Sequence, residues 1–148
     1  MEVLLFLLLF QEKAPDPGQL GACKYAEFAE TIALKAGDRD ALLVHPKDEK
    51  GPFPVIVLSP GGQAATVKGY EGFARWFASW GFVTVVVAFN SDAADERAGQ
   101  YTETLDWLEK KNGADGWALK GMLDLKKAVA AGHSRGGYAA VLAAAKEK

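Results

Sequence analysis

The sequence predicts an α/β fold, and three observations predict it. Short apolar runs lack a polar face, helical patterns fall between them, and glycine-rich turns close them. A strand in water on one face alternates apolar with polar residues; a strand apolar throughout is covered on both faces, as in a parallel sheet flanked by helices.

Asp40 to His45 (DALLVH) is the first such run, closed by Pro46, with a polar turn after it. Pro54 to Leu58 (PVIVL) is a β-branched buried strand ended by Ser59-Pro60-Gly61-Gly62. Tyr70, Phe73, Phe77 and Trp80 recur at helical spacing and predict a helix with an aromatic core face, stopped by Gly81. Phe82 to Phe89 (FVTVVVAF) is the next strand. A helix over about Ala98 to Lys110 follows, with Tyr101, Leu105 and Leu108 on one face. Lys127 to Ala131 (KAVAA) is a strand running into Gly132-His133-Ser134-Arg135-Gly136-Gly137, and a last helix then turns Tyr138, Val141, Leu142 and Ala145 inward.

With 148 residues, the chain has the length of one domain, and 49% hydrophobic with 24% charged residues is ordinary globular composition. Seventeen basic against nineteen acidic residues leave a charge of −2, so no surplus exists to neutralise a nucleic-acid backbone. One cysteine (Cys23) and two histidines make neither an internal disulfide nor a Cys/His zinc cage. No cofactor is expected. The strand and glycine loop at PVIVLSPGGQAATVKG lack both the P-loop and the dinucleotide spacing, which argues against a nucleotide partner.

Residues 1–20 read as an apolar segment and linker, and residues 21–148 as the domain. The run from Val3 to Phe10 is too short to span a bilayer. Its length suits a secretory signal core, while Glu2 and the lack of Lys or Arg before it oppose one; a buried first strand is the other reading. Leu20-Gly21-Ala22-Cys23 has the form of a lipoprotein cleavage box, but QEKAPDPGQ separates it from the apolar run.

Gly132 to Gly136 is the pattern G-x-S-x-G at a strand-to-helix turn. Flanking glycines let the turn close without side-chain collision, and the serine is held in a strained conformation with its hydroxyl exposed. The helix beyond it aims free N–H groups at a developing negative charge. The Ser59–Gln63 loop can bring a second donor close, because Gly61 and Gly62 permit close backbone approach.

From about Arg39 onward these residues resemble the α/β-hydrolases, above all the cutinase-like polyester hydrolases and the chlorophyllases. FPVIVLSPGG, a helix and SWGFVTVVVAFN are similar to the cutinase-like order, and the form G-H-S-R-G-G is typical of chlorophyllases. The resemblance implies a serine ester hydrolase with Ser134 as nucleophile. It implies the backbone N–H groups of Gly62 and Arg135 as the oxyanion hole, and His133 as a structural elbow residue leaving the opposite side of the turn from Ser134. These families take their triad Asp and His from chain beyond the elbow helix, where this sequence has none, so the expectation is an incomplete domain. His45 reads as an ordinary strand-end residue, and Asp92 and Asp95 as solvated loop charges. A serine peptidase of the same fold ranks lower, since its elbow tends to carry an aromatic residue. A dienelactone-hydrolase relative would present cysteine in place of Ser134. A non-catalytic scaffold of this fold is the remaining alternative.

Overall fold

The computed structural model describes residues 16–62 and 66–146. The Val3–Phe10 run and Gln63 lie outside the described residues. Among the described residues, five strands and three helices follow one another as β1 (Tyr25–Leu34), β2 (Gly37–Pro46), β3 (Phe53–Ser59), α1 (Glu71–Ser79), β4 (Val83–Val87), α2 (Ala94–Asn112), β5 (Leu123–Gly132) and α3 (Arg135–Lys146). One sheet holds all five strands in the order β1-β2-β4-β3-β5. The protein is α/β, as predicted.

The sheet is mixed. β3 runs parallel to both β4 and β5, whereas β2 is antiparallel to β1 and to β4. The parallel part is the part legible from apolar runs, and β1 is the strand that sequence reasoning misses. Its side chains alternate: Ile32 and Leu34 are buried and Phe28 half-buried, while Glu27 and Thr31 face outward. This period-2 pattern, broken by charge, belongs to an edge strand and offers no apolar run. A tight turn at Gly37 (φ 98°) returns the chain, and Arg39 braces it by donating to the Asp38 and Ala36 carbonyls at 2.7 and 2.8 Å.

Helices cover both faces, which is why β3 and β4 are almost wholly apolar, with Ser59 and Thr84 their buried polar exceptions. On one face Val44, Leu58 and Val86 meet Ala74 and Ala78 of α1. On the other, Val55, Val57, Val83, Val85 and Phe89 meet Tyr101 and Leu108 of α2 and Ala139, Ala140 and Ala143 of α3. α2 begins four residues earlier than predicted. Its N-cap is Ala93, without a side-chain cap bond; Ser91 Oγ accepts the Ala93 N–H at 3.1 Å just ahead of the helix, and Asp95 and Glu96 suit the positive end of its dipole. β5 also starts earlier, at Leu123, with a register shift opposite Pro54/Val55.

Two helix faces depart from expectation. α1 buries Ala74 and Ala78, and leaves Phe73 61% exposed with Trp76 and Phe77 half-buried. The aromatic stripe is therefore not the core face. α3 buries Gly136, Ala139, Ala140 and Ala143 and turns Tyr138 and Val141 outward, 61% and 67% exposed. In both helices small residues let the backbone approach its neighbours closely, and the large apolar residues rotate away from that contact. The chain before β1 is also packed. Gln19 O accepts both the Trp76 and Trp80 indole N–H groups, at 3.1 and 3.2 Å, and Gly21 N–H donates to Ser79 Oγ at 2.8 Å.

Candidate active site

β3 and β5 are parallel neighbours, so the loops leaving their carboxyl ends meet at one edge of the sheet. Ser134 stands at the tip of the second loop with φ 52°, one of two non-glycine residues at positive φ among those described, and it is exposed. The strain expected of the elbow is therefore present.

The glycines around it have no room to be anything else. A Cβ on Gly132 would lie 2.3 Å from the carbonyl carbon of Gly136, and one on Gly136 would lie 2.3 Å from Ser59 O. His133 N–H donates to Ser59 O at 3.1 Å, tying the elbow directly to the end of β3. Gly136 N–H returns to His133 O at 2.9 Å, and Tyr138 N–H to Ser134 O at 3.0 Å, which opens α3. Among the described residues no acceptor takes the Arg135 N–H or the Gly62 N–H.

The first loop is held open towards Ser134. Gly62 has φ 79°, and a Cβ on Gly61 would sit 2.8 Å from His133 Nδ1 and 3.1 Å from Ser134 Cβ. His133 and Ser134 thus both border Gly61; the imidazole does not leave towards the far side of the turn but meets Tyr70, whose hydroxyl lies 3.0 Å from Nδ1. The same Tyr70 oxygen accepts the Gly61 N–H at 2.9 Å.

Two buried residues brace both loops, and sequence reasoning misses their roles. Arg97 donates to Ser91 O, Pro60 O and Gly62 O at 3.0, 3.1 and 2.9 Å, so one guanidinium gathers three loop carbonyls. Burial holds its pKa below the ordinary arginine value; the neighbouring Arg135 acts in the same direction, against Tyr101 and Asp92. Tyr101 places its hydroxyl 2.6 Å from Ala131 O and 3.0 Å from Gly136 O, beneath the elbow. Burial pushes that hydroxyl up to about 12, against hydrogen bonds to Ser59 and the charge of Arg97. Nothing in the sequence sets Arg97 apart from the other charged residues of α2, and Tyr101 shows there only as part of the helix's apolar face.

Asp92, expected as a solvated charge, pairs with Arg135 at 2.6 Å across the mouth of the site, and Asp95 pairs with Lys146 at 3.0 Å. His45 lies on β2, two strands away from β3 in the sheet, with Nδ1 2.9 Å from Pro46 O and its ring edge-on to Phe28. No hydrogen bond joins Ser134 to either imidazole among the described residues. No cluster of three or more His, Cys, Asp or Glu able to hold a metal occurs among them either.

A strained serine thus faces a glycine loop at the carboxyl edge of a partly parallel sheet. The family model for PET hydrolase-like proteins matches residues 12–148, and the chain belongs to that family, polyester hydrolases of the α/β-hydrolase type. This agrees with the cutinase-like resemblance of the sequence. Comparison with curated proteins gives no match.

Proposed function

We propose that this chain carries the nucleophile half of a serine carboxylic-ester hydrolase that acts on polyester-type or smaller esters through an acyl-enzyme. Its fold, on this reading, is that of the α/β-hydrolases. One observation carries the proposal: Ser134, at φ 52°, opens α3 opposite the Gly61–Gly62 loop.

Ser134 Oγ attacks the ester carbonyl carbon as a base takes its proton. The tetrahedral oxyanion is held by the N–H groups of Gly62 and Arg135, with the positive end of α3 behind them. The alkoxide leaves with the proton, giving the acyl-serine. Water then adds to the acyl carbon with the same base, and the acid departs as Ser134 regains its proton. Gly132, His133 and Gly136 shape the turn and take no proton. The base and its carboxylate come from outside the described residues, because His45 is remote and His133 Nδ1 faces Tyr70.

That lack of a base also favours the second reading, a non-catalytic relative. Labelling with a fluorophosphonate separates the two. The hydrolase reading expects a single adduct on Ser134, slow but absent in Ser134→Ala; no adduct after prolonged exposure of folded protein favours the scaffold.

A further inference from the structure

The two oxyanion donors of the ester-hydrolase reading come from different strands. Gly62 follows β3 and Arg135 follows β5, and such a hole works only when both N–H groups converge on one oxygen, each at about 2.7–3.1 Å. The contacts that set the spacing of the two loops therefore belong to the site. At their base the backbone joins them, His133 N–H donating to Ser59 O at 3.1 Å. At their tips a side chain joins them. Tyr70 Oη accepts the Gly61 N–H at 2.9 Å and lies 3.0 Å from His133 Nδ1. Gly61 stands one residue before the first donor, and His133 two residues before the second.

Tyr70 is anchored apart from either loop. It is the N-cap of α1, its own N–H donates to Val67 O at 3.2 Å, and its carbonyl accepts the Ala74 N–H at 3.1 Å. Its ring packs against the core that Val44, Leu58 and Val86 form with α1. A helix thus presents the hydroxyl to a loop whose glycines would otherwise wander. Arg97 completes the grip. It donates to Pro60 O at 3.1 Å, the carbonyl of the same peptide unit whose N–H Tyr70 accepts. That plane is held at both ends, and Gly62 follows directly from it.

We propose that Tyr70 is a positioning residue, setting the gap between the Gly62 and Arg135 N–H groups by accepting from Gly61 while donating to His133 Nδ1. The proposal rests on the ester-hydrolase reading. Hydrogen inventory fixes the direction of the chain of bonds. A backbone N–H can only donate, so the Tyr70 proton is left to reach Nδ1, and the neutral imidazole keeps its hydrogen on Nε2. No proton moves through Tyr70 in the reaction; it acts through the loop it holds.

The test compares the full chain with Tyr70→Phe, which keeps the ring and removes the hydroxyl. Fluorophosphonate labelling of Ser134 should slow by about three- to tenfold, with the urea midpoint unchanged. The Gly61 amide should exchange faster in the variant. Long-range nitrogen–proton NMR should show the neutral His133 ring as the Nε2–H tautomer in the parent chain, and a mixture of tautomers in Tyr70→Phe. A brace of the fold alone would move neither the tautomer nor the labelling rate at constant stability. Equal labelling rates, a labelling loss matched by loss of fold, or an Nδ1–H tautomer in the parent would each overturn the proposal. Failure of the parent to label, with the tautomer and the Gly61 exchange responding as expected, would sink the hydrolase reading and leave Tyr70 as the link between the loops.

Discussion

The two edges of the sheet are finished in opposite ways. β1 presents alternating residues, carries Glu27 and Thr31 outward, and is tied to its surroundings by polar contacts. Glu27 takes both Arg75 nitrogens at 2.7 and 2.8 Å, and Glu30 accepts the Trp117 indole N–H at 3.2 Å. β5, at the other edge, shows Val129 at 48% exposure, with Lys126 and Lys127 exposed before it. The strained serine is built on this second edge, beyond its uncharged end at residues 128–132. The elbow therefore draws its rigidity from one side only, through Gly136 against Ser59, Arg97 across the loops and Tyr101 beneath. If that is right, substitutions in these braces should be far more costly than substitutions at the β1 edge.

The largest effect is expected at Gly136. A Cβ at this position would lie 2.3 Å from Ser59 O and 2.7 Å from Pro60 O, neither of them a flexible group, so Gly136→Ala must push β3 and β5 apart. A loss of about 4 kcal/mol, or failure to fold, is expected in urea unfolding. A variant of near wild-type stability would mean that the elbow is not pressed against β3. Arg97→Met comes next. It removes a buried cation and leaves the Pro60, Gly62 and Ser91 carbonyls without their donor, at a cost of about 3 kcal/mol. Faster amide exchange should then appear at residues 61–62 before it appears in β4.

These braces also mark where the sequence stops being legible. β3, β4 and the elbow can be read because long apolar runs and glycine punctuation act locally. β1 cannot, since Glu30 interrupts its apolar side and its pairing with β2 is decided by the hairpin at Gly37. The faces of α1 and α3 mislead for one shared reason: bulk suggests a core face, whereas alanine and glycine set how closely a helix can lie. Ser134, Gly132 and Gly136 are legible as a motif. Arg97, Tyr101 and Tyr70 are not, because each acts on carbonyls or amides between six and thirty-seven positions away in the chain.

Tyr101 gives a smaller effect with a distinctive pH signature. Its hydroxyl titrates near 10 in an unfolded chain and at about 12 in the fold, so the folded state retains its proton longer. Stability from this group is complete below pH 10 and falls as pH rises from 10 to 12, where the unfolded state binds fewer protons than the native one. The drop across that window should be on the order of 2 kcal/mol. Tyr101→Phe should cost about 1 kcal/mol at neutral pH and remove most of this alkaline slope. A slope that survives in the variant would assign it to other groups.

The smallest effect on stability, and the sharpest contrast between the edges, comes from a matched pair of surface changes. Glu27→Gln removes the charge that Arg75 holds below the usual carboxylate range, but the pair is exposed and screened, so the unfolding midpoint should stay within error at pH 7. Val129→Lys should likewise leave stability within about 0.5 kcal/mol, because the site is half in solvent. Their association behaviour should differ. β5 carries Lys126 and Lys127 in its first half and no charge from residue 128 on. An unpaired strand edge is a template for a second chain, and a lysine on the uncharged stretch extends the usual remedy. Light scattering across a concentration series should therefore show Val129→Lys lowering self-association and Glu27→Gln leaving it unchanged. If both variants associate like the parent chain, the β5 edge is not the adhesive one. The contrast between the edges would then be one of composition without consequence.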